Sequence, residues 1–285
     1  MTRQRPRLGA HMSIAGGVDK AIERGAGIGC EAIQIFTKNT NQWRAKPLDA
    51  GEIQRFQELQ RRHNIFPVVG HAAYLINLAS PDDALWERSL SAFVVELERA
   101  EQLGLPGLVI HPGAHMGAGE GAGLARVAEA INRAFQQVPG RVEVWLETTA
   151  GQGTVLGGSF SQLRAILERV HQPARMGLCL DTAHVAAAGW DIRTRAGYEA
   201  MWAEWDALLG IERVRMFHLN DLARPVGSRV DRHAHIGQGV LGLEPFRMLL
   251  NDPRFADRPM VLETPKGKDL KEDVENLRVL RSLFE

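Results

Sequence analysis

Short apolar runs alternate with longer amphipathic stretches along the whole chain, and no other feature restricts its fold as much. The runs are Leu8 to His11, Ala32 to Thr37, Pro67 to His71, Leu108 to His111, Val142 to Glu147, Met176 to Asp181, Val214 to His218 and Met260 to Glu263. Helix-like stretches separate and follow them: Val18 to Ile28, Gly51 to His63, Ala84 to Leu103, Leu124 to Gln137, Ser161 to Val170, Tyr198 to Leu209, Leu243 to Leu250 and Lys271 to Phe284. Such alternation is the signature of a parallel α/β fold. Eight units in 285 residues average about 36 residues each, which suits a (β/α)8 TIM barrel with some enlarged loops. A doubly wound sheet is the alternative. No Pro- or Ser-rich linker and no low-complexity block divides the chain, so residues 1–285 read as a single TIM-barrel catalytic domain.

The last residues of the eight runs are His11, Thr37, His71, His111, Glu147, Asp181, His218 and Glu263. Barrel strands all end on the face where active sites of this fold lie, so these side chains are expected to converge. A lone strand-end histidine is more often structural. Seven groups able to bind metal or move protons are harder to explain so, because buried carboxylates and imidazoles are costly unless paired or metal-bound.

Two further groups lie just past strand ends, Asp181-Thr182-Ala183-His184 and Asp231-Arg232-His233. Five histidines, His71, His111, His184, His218 and His233, then stand with four carboxylates, Glu147, Asp181, Asp231 and Glu263. Nitrogen-rich ligation without cysteine suits Zn2+, with Mn2+ or Fe2+ as substitutes, and argues against Mg2+ or Ca2+. A catalytic zinc takes about three protein ligands, so nine groups with a shared carboxylate could supply about three ions. Three divalent ions against four carboxylates leave a pocket of about +2, suited to a phosphate ester. Hydrolysis of a phosphoester is the chemistry this predicts.

These residues sit in segments that resemble the endonuclease IV family of apurinic/apyrimidinic (AP) endonucleases. The segments are Gly9-Ala-His-Met-Ser-Ile-Ala-Gly-Gly17, His71-Ala-Ala-Tyr-Leu-Ile-Asn-Leu78, Leu146-Glu-Thr-Thr-Ala-Gly-Gln-Gly153, Leu180-Asp-Thr-Ala-His184 and Gly227-Ser-Arg-Val-Asp-Arg-His233. The resemblance runs from Gly9 to Glu263 with the motifs in order. It implies a TIM barrel holding three zinc ions that cuts DNA on the 5′ side of an abasic site, leaving 3′-hydroxyl and 5′-deoxyribose phosphate ends. By matching motif, one zinc would take His71, His111 and Glu147, and a second would share Glu147 and add Asp181, His218 and Glu263. The third would take His184, Asp231 and His233. Glu263, Glu147 and Asp181 are the expected catalytic carboxylates, with Glu263 also orienting the attacking water. The chain departs from the family at Ala186, where an aromatic is usual, and at Leu222-Ala223, where a small residue and a lysine are usual. Asn41 stands where some relatives carry an arginine that enters the DNA stack.

Among the remaining residues, His11 is expected to orient a ligand or water from behind rather than to bind metal. Tyr74 and Gln42, on loops beside the pocket, could fill the gap left by a missing base, with Asn41 beside them. His115 and His235 fall outside the matched motifs and read as structural or solvated. Charge adds a constraint: 34 Lys+Arg cancel 34 Asp+Glu, which excludes a general polyelectrolyte grip on DNA or on an anionic membrane. DNA must be held by local cations, for which Lys38, Arg44 and Lys46, then Arg224, Arg229 and Arg232, then Lys266 and Lys268 are the loop candidates. Only Cys30 and Cys179 occur, the basic Met1 to Arg7 runs into no apolar segment, and no uncharged apolar stretch approaches about 18 residues. The expected protein is a cytoplasmic monomer acting on double-stranded DNA with abasic sites and on no membrane. Two rivals stay open, a sugar isomerase or epimerase using one metal at Glu147, Asp181, His218 and Glu263, and a non-catalytic binder of DNA lesions.

Overall fold

A computed structural model describes residues 5–285; Met1 to Gln4 of the basic N-terminal segment lie outside the described residues. In chain order the elements are β1 (Arg7–Met12), α1 (Val18–Gly27), β2 (Ala32–Phe36), α2 (Ala50–His63), β3 (Val68–His71), α3 (Asp83–Leu103), β4 (Gly107–Ile110), α4 (Glu120–Gln137), β5 (Glu143–Glu147) and α5 (Phe160–Leu167). There follow β6 (Met176–Asp181), α6 (Thr182–Ala188), α7 (Arg195–Leu209), β7 (Val214–Leu219), β8 (Asp221–Leu222), β9 (His233–Ala234), α8 (Glu244–Leu250), β10 (Pro259–Leu262) and α9 (Lys271–Ser282). Eight parallel strands close in the order β1-β10-β7-β6-β5-β4-β3-β2, which makes a (β/α)8 barrel and sets aside the open doubly wound sheet. Among the described residues no helix is long and apolar enough to cross a membrane.

Local signals set where the elements start and stop. Asp49, Asp82, Ser159 and Thr194 each cap a helix by accepting a backbone N–H with the side chain. Gly104 ends α3 in the left-handed region at φ 73°, which a side chain would strain.

Side chains two residues apart on a strand share a face. Val69, Val109, Trp145, Cys179, Met216 and Val261 form an apolar cluster of their own. Each precedes by two residues one of His71, His111, Glu147, Asp181, His218 and Glu263. The barrel interior is therefore stacked, an apolar floor beneath a polar layer at the C-terminal ends of the strands. The Trp145 indole fills the floor, and a Cβ at Gly107 would come within 2.2 Å of it.

Two features depart from the expected order. Asp181 serves as N-cap of an extra helix, α6, by accepting the His184 N–H at 2.9 Å, so what reads as a ligand motif is also a helix start. The long connection after β7 contains a short antiparallel pair, β8/β9, of two residues a side. His111 and Glu263 lie one residue past their strands and Thr37 one past β2.

Candidate metal centre

Glu147, fully buried, is the hub. Its Oε2 lies 3.1 Å from His71 Nε2 and 3.0 Å from His111 Nε2. Its Oε1 lies 2.9 Å from His218 Nδ1 and 3.2 Å from His184 Nδ1. The same His218 Nδ1 is 3.2 Å from Glu263 Oε2. Asp231, from the loop before β9, reaches His184 Nε2 and His233 Nε2, both at 3.3 Å. Ligand atoms within 4.8 Å of one another fall into three groups: His71, His111 and Glu147; Glu147, Asp181, His218 and Glu263; and Asp181, His184 and His233. The first two coincide with the expected sets. In the third, Asp181 joins the two imidazoles because its Oδ2 points the same way while Oδ1 caps α6, and Asp231 stands between the same two rings.

The ring nitrogens are oriented. A neutral imidazole has one donor and one acceptor nitrogen, so an acceptor beside one nitrogen leaves the other with a free lone pair. His71 Nδ1 lies 2.7 Å from the Ala72 carbonyl, His184 Nδ1 2.8 Å from that of Thr148 and His233 Nδ1 3.2 Å from that of Glu263. Their Nε2 atoms all face carboxylates. This is the arrangement by which proteins hold metal-ligating histidines.

Two observations test whether a metal suits the site. His111 Nε2 and His233 Nε2 are buried and make no hydrogen bond, although carboxylate oxygens lie 3.0 and 3.3 Å away. The protonation of the cluster points the same way. Burial pushes the Glu147 carboxyl up, but His218 and His111 beside it bring it well below the usual carboxylate range. Burial likewise lowers the His184 imidazole, and Asp181, Asp231 and Glu147 more than reverse this, leaving it well above its ordinary value. Without metal, protons on the imidazoles neutralise the carboxylates; a divalent cation does the same by displacing them. The residues fit.

Beside Glu263 a cavity of about 670 Å³ opens, lined by His11, Phe36, Lys38, Tyr74, Glu263 and Lys266 among others. His11 Nδ1 is 3.5 Å from Glu263 Oε1, and both side chains line this cavity. Tyr74 is 63% exposed, with its ring 5.9 Å from that of His111 and near parallel to it. Asn41, Gln42, Arg229 and Arg232 are exposed on the loops of the same face. Arg229 is held by its backbone N–H donating to the Ala187 carbonyl at 2.9 Å, and Gly227 binds Ala186 likewise. The small, fully buried side chain of Ala186 sits where that loop docks on α6. His115 Nδ1 accepts from the Gly119 N–H, and His235 Nδ1 lies 3.1 Å from Asn276 Nδ2.

Lys38 corrects an expectation. It is buried, donates to the Gln42 carbonyl at 2.7 Å and lies 3.4 Å from Glu96. Glu96 of α3 is itself fully buried, and a lone buried carboxylate is costly, so Lys38 is committed inward and supports the loop instead of meeting a phosphate. Lys266 is similarly engaged, with Asp273 at 2.7 Å. Sequence reasoning missed Gln34 and Asn220. Asn220 donates to Asp181 Oδ2 at 2.6 Å and accepts the Glu263 N–H at 2.9 Å, tying two carboxylates together. A polar residue inside an apolar strand was the available signal for Gln34.

Residues 22–283 match a family model described as a xylose isomerase-like TIM barrel, which is the class that the fold and the strand-end cluster define. The chain is 56% identical to probable endonuclease 4 of Chloroflexus aurantiacus over 281 residues, 98% of this chain and 99% of that protein. With probable endonuclease 4 of Geobacter sulfurreducens it shares 51% over 277 residues, 97% and 94% of the two chains. Its structure is similar to that of endonuclease IV from Thermus thermophilus, with a TM-score of 0.87 at 38% identity and 98% of each chain covered. The chain belongs to the endonuclease IV family. A D-tagatose 3-epimerase-like protein, at 18% identity and a TM-score of 0.73 with 97% and 96% covered, shares the fold alone.

Proposed function

We propose that the protein is a metal-dependent AP endonuclease that hydrolyses the phosphodiester bond 5′ to an abasic site in double-stranded DNA, leaving 3′-hydroxyl and 5′-deoxyribose phosphate ends. The observation that carries this reading is the surplus of ligands. A single-metal isomerase would use Glu147, Asp181, His218 and Glu263 and leave His71, His111, His184, Asp231 and His233 without a role. A retired binder would be expected to have lost ligands, and all nine are present.

In this reading His71, His111 and Glu147 hold one Zn2+; Glu147, Asp181, His218 and Glu263 a second; and His184, Asp231 and His233 a third, with Mn2+ or Fe2+ as substitutes. When bound, such ions stabilise charge on phosphoryl oxygens and lower the pKa of water. Glu147 and Asp181 fix the spacing of the cluster, and Glu263, which lines the cavity, aligns the attacking water. Two free, buried cysteines suit a cytoplasmic, reducing compartment, and a monomer is the oligomeric state proposed.

Elemental analysis of protein purified without chelators is expected to give about two to three Zn2+ or Mn2+ per chain, because the groups overlap at shared carboxylates. Brief EDTA treatment is expected to slow activity only in part, since a closed cluster with shared ligands releases ions slowly. Roughly one ion per chain, or immediate complete loss, would favour the isomerase reading.

Asn41, Gln42, Tyr74, Arg229 and Arg232 are assigned to DNA, with separable roles. Backbone contacts carry no lesion information, so Arg229→Ala is expected to weaken damaged and intact duplex alike. With few cations available, log affinity against log salt has an expected slope of roughly −3 to −6, made shallower by about one in that variant. Tyr74→Ala is expected to leave the slope unchanged and reduce discrimination for the abasic site by about 1–3 kcal/mol, the scale of one stacking contact. Fluorescence anisotropy at several salt concentrations measures both. An Arg229→Ala loss confined to abasic DNA, or a Tyr74→Ala effect that tracks salt, would reverse the assignment.

A further inference from the structure

Gln34 interrupts the apolar run of β2, is fully buried, and pairs in register with His11 of β1. A buried amide left without partners is costly, but this one is engaged on both sides. Its Nε2 donates to Glu263 Oε1 at 2.6 Å and lies 2.9 Å from His11 Nδ1, and its Oε1 lies 2.8 Å from His218 Nε2.

Chemistry fixes which way round the amide sits. An ionised carboxylate can only accept, so the group facing Glu263 is the NH2 and the oxygen faces His218. His218 must then carry a proton on Nε2, which makes Nδ1 the nitrogen whose lone pair a metal ion would take in place of a second proton. Nδ1 is the atom that lies 2.9 Å from Glu147 Oε1 and 3.2 Å from Glu263 Oε2. The three other oriented imidazoles, those of His71, His184 and His233, are set by backbone carbonyls. Of these four imidazoles, His218 is the one set by a side chain.

We infer that Gln34 is a positioning residue of the metal centre, one amide fixing both the tautomer of His218 and the orientation of the Glu263 carboxylate toward a shared ion. This rests on the metal-centre reading above.

Two variants of the full chain test it. Gln34→Leu removes all three polar contacts at similar volume, and Gln34→Glu keeps the length but turns an acceptor toward Glu263. Zinc affinity is read by competition with a chromophoric chelator. The His218 tautomer is read by 15N NMR of histidine-labelled, metal-free protein at alkaline pH, and turnover on a duplex with an abasic analogue is resolved into kcat and KM. Zinc affinity at one or more sites is expected to fall about 10- to 100-fold. His218 should lose its preference for the Nε2–H form while the other ligands keep theirs, and kcat should fall with KM little changed. Wild-type zinc affinity and tautomer in a folded variant would overturn the proposal, as would failure of both variants to fold, which would make the role structural. If only one folds, it decides. A wild-type chain that binds no zinc would instead remove the metal-centre reading itself, so the two failures are told apart.

Discussion

Glu263→Gln is expected to lower turnover by about 10²- to 10⁴-fold, the range for loss of a positioned acid–base group, while the fold and much of the DNA affinity survive. Glu147 and Asp181 are fully buried, whereas the Glu263 side chain is 10% exposed and lines the cavity, so of these three carboxylates it is the one that opening can reach. Burial pushes its carboxyl up, but the adjacent His218 holds it well below the usual range, so it is an acceptor at neutral pH. A glutamine can keep its carbonyl oxygen against the Gln34 amide, which preserves that contact. Its NH2 then falls where Oε2 lies 3.2 Å from His218 Nδ1, and an amide nitrogen supplies neither the charge nor the lone pair of that oxygen. Single-turnover cleavage alongside anisotropy checks the separation. Near-normal turnover would show that Glu263 does not align the water.

Glu147→Gln is expected to act by a different route, through loss of metal as well as of turnover. Four imidazoles, those of His71, His111, His184 and His218, approach this carboxylate within 3.2 Å, and it belongs to two of the three ligand groups. Removing its charge leaves buried nitrogens without the anion that pairs them. Metal content should drop to roughly one ion per chain or fewer, with turnover reduced by at least on the order of 10³-fold, the loss expected when charge stabilisation in a buried site is removed. Elemental analysis of the variant beside wild type distinguishes this from a loss of turnover alone. A Glu147→Gln chain with the full complement of zinc would contradict the hub role.

Much of the architecture was legible because each barrel strand is an apolar run bounded by polar residues, and the ligands mark the ends of those runs. Periodicity of two then places His71, His111, Glu147, Asp181, His218 and Glu263 above one apolar floor. What could not be read depends on contacts across the barrel. Gln34 reaches Glu263, 229 residues away in sequence, and no local pattern encodes that pairing. Lys38 looked like a solvent-facing cation because its partner Glu96 lies on α3, with α2 and β3 between them in the chain. The helix α6 was hidden because Asp181 is strand end, metal-ligand candidate and helix cap at once. The β8/β9 pair, two residues on each side, is too short to show a period.

Incision of DNA at abasic sites by the strand-end cluster is the proposed activity on which the other expectations depend. Its most direct test is a denaturing gel of a duplex with one abasic analogue, end-labelled on the lesion strand and incubated with zinc-replete protein, with protein stripped of metal by prolonged chelation, and with stripped protein given Zn2+ again. The expected result is a single incision immediately 5′ to the lesion, leaving a 3′-hydroxyl that a polymerase extends, lost on stripping and restored by Zn2+. Binding without incision by the zinc-replete protein, or incision that persists after all metal is removed, would contradict it.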